Sequence, residues 1–110
     1  MNNPIKLLIT EDINKFSDDD LSVIKKHNII PEFCKNDGEE LLLKIMNEKP
    51  DVVLMDLFMT RLDSLGVMRS LKQKGLNSPI IIVTASFNSP ALEKEIMTNG
   101  ADYYALNRII

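Results

Sequence analysis

One hundred and ten residues, 45% of them hydrophobic and 26% charged, make one domain with a real core and leave no room for a second. A net charge of −3 at pH 7 provides no broad basic face for nucleic acid, and the single cysteine, Cys34, excludes an internal disulfide. The Met-Asn-Asn-Pro start has no apolar secretion signal and no apolar run approaches membrane length, so a soluble, cytoplasmic protein is expected.

Ile5 to Thr10 reads as a first strand, with Glu11-Asp12 at its end. Ser17-Asp18-Asp19-Asp20 has the form of a helix cap followed by first-turn acids; a start nearer Asn14 would instead line up Phe16, Asp20 and Ile24. Leu21, Val23 and Ile24 are expected on the buried side of that helix. Ile29 to Cys34 reads as a second strand, which Pro31 restricts to an edge. Cys34 is expected to pack rather than react. Asn36-Asp37-Gly38 reads as a turn, and Glu39 to Lys49 as an amphipathic helix with Leu41, Leu42, Ile45 and Met46 inward, stopped by Pro50.

Val52-Val53-Leu54-Met55 runs into Asp56, a pattern expected of a strand buried on both faces with a carboxylate at its end. Taken alone, Asp56 has the bland reading of an aspartate that starts a turn. Phe58 to Ser64 reads as a loop, and Leu65, Met68 and Leu71 as the core stripe of a helix closed by Gly75. Pro79 to Thr84 is a fourth strand; Ser89-Pro90 caps a helix that Gly100 ends; Tyr103 to Leu106 is a fifth strand. Alternating strands and helices predict an α/β, three-layer, flavodoxin-like fold with a parallel five-stranded sheet of order 2-1-3-4-5. The final helix of such a fold has no counterpart before Ile110, so a C-terminally truncated domain spanning 1–110, with one flank of the sheet under-covered, is expected.

In that arrangement Glu11-Asp12, Asp56, Thr84 and Asn107 fall at carboxyl ends of parallel strands. Three converging carboxylates repel one another unless a cation joins them. Oxygen donors without histidine or cysteine suit Mg²⁺, and a carboxylate beside Mg²⁺ can take a phosphoryl group as an aspartyl phosphate. Thr84 can donate a hydroxyl to the added oxygens.

Glu11-Asp12, Leu54-Met55-Asp56, Leu62-Asp63, Val83-Thr84-Ala85 and Gly100-Ala101-Asp102-Tyr103-Tyr104, with Asp12 and Asp56 standing 44 residues apart, resemble the response-regulator receiver domain of two-component and phosphorelay signalling. The stretch Leu62 to Val67 is most similar to sporulation master transcription regulators of spore-forming Firmicutes. The resemblance implies that Asp56 is the phosphoacceptor. It implies that Glu11, Asp12, Asp56 and the backbone carbonyl of Phe58 hold Mg²⁺, and that Thr84 and Tyr104 form a switch pair. It further implies a histidine kinase or histidine phosphotransferase as donor, and pairing with another receiver or an output domain through the fourth helix and fifth strand. DNA would be met only through an effector domain not contained in this chain, and no membrane is involved.

The sequence also departs from the family. Asn107 and Arg108 stand where the family has lysine and proline, so a charge-assisted bond to the phosphoryl group is lost unless Arg108 bends in to replace it. Thr60 replaces a proline and Ser64 a turn glycine, changes expected to loosen or reshape the loop. Two alternatives to a phosphorylated switch follow. One is a pseudo-receiver that binds partners without phosphorylation, on the strength of Asn107. The other is a haloacid-dehalogenase-like phosphatase, suggested by Asp56 to Thr60, though Phe58 stands where that signature needs a second aspartate and no general acid remains. The chain is therefore expected not to be an enzyme. Flavin binding in the flavodoxin manner lacks a phosphate loop after the first strand.

Overall fold

A computed structural model of the chain describes residues 3–11, 13–75 and 78–106. The elements are β1 (Ile5–Ile9), a 3-10 turn (Ile13–Lys15), α1 (Asp18–Lys26), β2 (Ile29–Phe33), α2 (Gly38–Glu48), β3 (Val52–Asp56), α3 (Ser64–Gln73), β4 (Ile80–Ala85), α4 (Pro90–Thr98) and β5 (Tyr103–Leu106). The strands form one parallel sheet in the order β2-β1-β3-β4-β5, as expected. Pro31 stands on β2, an edge strand, where its missing N–H interrupts no ladder on the outer side.

The helix starts follow from side-chain caps. Ser17 accepts the Asp20 N–H at 3.0 Å while Asp20 accepts the Ser17 N–H at 3.0 Å. Ser89 caps α4, with Pro90 in the first position. Asp37 belongs to a cap and not to a free turn: its Oδ1 accepts the Glu39 and Glu40 N–H groups at 3.0 and 3.2 Å, and Gly38 is the first residue of α2. Gly75 and Gly100 end α3 and α4 at positive φ, and Lys49 adopts φ 49° before Pro50.

One face of the sheet carries the main core. Val53 and Met55 of β3 and Ile81, Val83 and Ala85 of β4 pack against Leu41 and Ile45 of α2, Val67, Met68 and Leu71 of α3 and Ile96 of α4. The other face is covered by α1 alone among the described elements. There Ile9, in register with Leu54, is buried, but Leu54 and Ile82 are only half-buried. Among the described residues β3 is thus fully buried on one side, not on both. A recess of about 520 Å³ lies between Phe16, Val23 and Ile24 on one side and Leu54, Thr84 and Leu106 on the other. Val23, expected to be buried, is 55% exposed on its rim. Leu21 and Ile24 alone turn toward the sheet, half-buried, because among the described residues no other helix packs against the flank of α1.

Cys34 packs against the core and its thiol donates to the Ile9 carbonyl at 3.4 Å. Burial pushes the thiol up to about 11, so it stays protonated where a free cysteine begins to ionise. Its alkylation by iodoacetamide, followed by mass spectrometry, should be slow at pH 8 in the folded protein. The rate should rise as the pH nears 11, and unfolding in urea should speed it at pH 8.

The α2 start lies so close to the β3–α3 loop that a Cβ on Gly38 would stand 1.8 Å from the Leu62 carbonyl oxygen. Gly38→Ala should therefore cost about 2 kcal/mol or more, the scale of overpacking against backbone. At Gly66 an added methyl meets the tip of the Leu62 side chain, which can move, and alanine favours the helix by roughly 1 kcal/mol. Urea unfolding of both variants should show the first markedly the weaker.

Candidate functional site

The carboxyl ends of β1 and β3 open onto a cleft of about 560 Å³ whose walls include Thr10, Glu11, Lys15, Cys34, Asn36 and Asp56. β3 delivers Asp56 there because its apolar residues anchor the strand below. The Asp56 N–H donates to the Thr10 hydroxyl at 3.0 Å, and Thr10 is almost fully buried, so the strand end is held from beneath. The Phe58 N–H reaches back to Asp56 Oδ1 at 3.4 Å.

Burial raises the Asp56 carboxyl above its ordinary value, and the charge of Glu11 raises it further. The backbone N–H groups of Phe58 and Leu57, and the charge of Lys15, act the other way. Glu11 is itself paired with Lys15, Nζ to Oε2 at 3.3 Å. Two carboxylates therefore share one partly desolvated cleft, an arrangement that a cation stabilises. Asp12, Asn107 and Arg108 lie outside the described residues. Among the described residues no group of three or more histidine, cysteine, aspartate or glutamate side chains is gathered for a metal.

Thr84 is the register partner of Asp56 on the neighbouring strand, so both side chains stand on the α1 side of the sheet. Its hydroxyl donates to the Met55 carbonyl at 3.4 Å, and it faces the recess beside the cleft. Tyr104 packs its ring against the core, and its hydroxyl donates to the Phe87 carbonyl at 3.1 Å. The Phe87 ring stacks on Phe58 with centroids 6.1 Å apart, although both residues are exposed.

The loop carrying Phe58 is fastened, not loosened. The Thr60 N–H and hydroxyl both donate to the Asn36 carbonyl, at 3.0 and 3.1 Å, and the Gly38 N–H donates to the Thr60 carbonyl at 3.0 Å. A proline at position 60 would have no N–H for the first of these bonds. The Ser64 hydroxyl donates to the Leu57 carbonyl at 3.2 Å, a bond that glycine cannot make. The Asn36 amide donates to the Phe58 carbonyl at 3.1 Å. Arg61 closes the same junction on Asp37 at 2.6 Å and holds that carboxyl below the usual range.

Sequence reasoning picked out Glu11, Asp56, Thr84, Phe58 and Tyr104, and the structure brings Glu11 and Asp56 together, with Thr84 alongside. It missed Thr10, Lys15 and Asn36. Thr10 carried a signal, a lone hydroxyl at the end of an apolar strand before an acid; Lys15 and Asn36 carried none, since neither sits in a periodic segment.

The sequence matches the response regulator receiver domain over residues 7–107. It is 42% identical over 50 residues to the alkaline phosphatase synthesis transcriptional regulatory protein PhoP of Bacillus subtilis, covering 46% of this chain and 21% of that protein. It is 33% identical over 101 residues to the response regulator MprA of Mycobacterium sp. (strain KMS), covering 92% of this chain and 43% of that protein. The chain thus spans less than half the length of these relatives. The receiver domain of the Francisella response regulator 1452 superposes with a TM-score of 0.77 at 25% identity, covering 96% of this chain and 84% of that one. No described helix is long and apolar enough to cross a membrane. The matched span runs from within β1 through β5 and takes in the cleft at the carboxyl edge of the sheet, and the chain belongs to the response regulator receiver domains, a family of two-component signalling modules.

Proposed function

We propose that Asp56 accepts a phosphoryl group and that Glu11, Asp12, Asp56 and the Phe58 carbonyl hold Mg²⁺ while it does so. The observation that carries this reading is the pairing of Asp56 with Glu11 in one cleft, where burial and like charge both disfavour the ionised form. The donor set is all oxygen, as Mg²⁺ prefers, and the Phe58 carbonyl keeps a second lone pair beside its bond from Asn36. Bound there, the ion would supply charge neutralisation for the phosphoryl oxygens. An Asp56 carboxylate oxygen forms the new bond to phosphorus. The bond to the donor's imidazole nitrogen, or to a small donor's leaving oxygen, breaks, and the leaving group keeps the electron pair.

Thr84 then turns its hydroxyl from the Met55 carbonyl to the new oxygens, and Tyr104 gives up Phe87 and moves inward. The donor is a histidine kinase or histidine phosphotransferase in the cytoplasm. The α4–β5 face, where Met97, Tyr103 and Leu106 are exposed, pairs with a second receiver or an output domain. We assign residues 1–110 to this receiver and control of transcription to the whole protein, as in the names of its relatives. The narrower likeness to sporulation regulators rests on Leu62 to Val67 alone, and the relatives found bear other names. A second reading, binding without phosphorylation, is favoured by Asn107 and Arg108 in place of lysine and proline.

Incubation with Mg²⁺ and a small phosphodonor should add one phosphoryl group to the wild type and none to Asp56→Asn, by intact-mass measurement; equal labelling would overturn the site. Stability offers an independent check. The raised carboxyl means that the folded state disfavours ionised Asp56, a cost absent below the ordinary value of 3.8 and complete above the folded one. Asp56→Asn should thus melt higher than the wild type at pH 7, with the gap closing toward pH 4 and narrowing when Mg²⁺ is added.

A further inference from the structure

Lys15 ends the short turn after β1 and reaches the same cleft as Asp56. Its Nζ stands 3.3 Å from Glu11 Oε2, and its side chain is 57% exposed while that of Glu11 is largely enclosed. It is also the cation whose charge eases the ionisation of Asp56. A phosphoryl group adds between 1.5 and 2 negative charges at roughly neutral pH. Glu11, once a metal ligand, no longer needs an ammonium partner. A lysine head on a four-carbon stem can then swing within the cleft without moving the backbone.

We propose that Lys15 is an exchangeable counter-ion, paired with Glu11 before metal is bound and turned onto the phosphoryl oxygens of Asp56 once Glu11 is engaged. The inference rests on the phosphoacceptor reading above. It gives Lys15 two effects of opposite sign. As the partner of Glu11 it competes with Mg²⁺; as the partner of the phosphoryl group it favours the loaded state. A residue that merely supported the turn would move both quantities in one direction.

The test uses Mg²⁺ alone, then beryllofluoride at saturating Mg²⁺ as the phosphoryl mimic, with both affinities read from NMR shifts of the cleft residues. Lys15→Met should tighten Mg²⁺ about two- to fivefold, the scale of a lost exposed ion pair. The same variant should weaken beryllofluoride by about tenfold, the scale of a lost bond to a charged group. Lys15→Arg should restore both, and Lys25→Met, the same charge change on α1, should alter neither. Unchanged affinities in Lys15→Met, or shifts of both in the same direction, would overturn the proposal. A wild type that binds no Mg²⁺ would instead remove the phosphoacceptor reading beneath it, and a wild type that binds Mg²⁺ but not beryllofluoride would overturn the phosphoryl half alone.

Discussion

A carboxylate half withdrawn from water and facing another carboxylate is the constraint on which this domain turns. Asp56 sits at the end of an apolar strand, and both burial and Glu11 work against its charge. The protein does not relieve that cost by moving the two acids apart. It holds Asp56 in place with the Thr10 hydroxyl below and the Phe58 amide beside it, and pairs Glu11 with the exposed Lys15. Such a site folds with its negative charge only partly compensated, a cost that a bound cation would relieve.

The fold around it was legible from the sequence because local signals and the global pattern agree. Ser89 marks a helix start, Ser17 is the one of two candidate starts that the first helix adopts, Gly75 and Gly100 mark helix ends, and Pro31 confines its strand to an edge. The strand order follows from the alternation of elements, and with it the convergence of Glu11, Asp56 and Thr84 on one edge.

What the sequence concealed depends on partners remote along the chain. Thr60 and Ser64 read as residues that loosen or reshape the loop, since a proline and a glycine are the residues whose backbone effects are visible locally. Their gains are bonds to Asn36, 24 residues away, and to Leu57, and these exist only once the two loops meet. Gly38 resembles a turn glycine, yet its need comes from the Leu62 carbonyl pressed against it. Val23 fits the apolar stripe of α1 and is exposed because the stripe is wider than the surface it covers. Lys15 shows no pattern at all; a charged side chain in a turn acquires meaning from what it faces.

Phe87 touches both sides of the site at once. Its carbonyl carries the Tyr104 hydroxyl, and its ring lies against Phe58, whose own amide and carbonyl border the acid cleft. Two loops and the outermost strand thereby share one residue as a joint. The backbone of Phe87 thus anchors the edge strand while its ring shelters Phe58, and one position links the rim of the sheet to the mouth of the cleft.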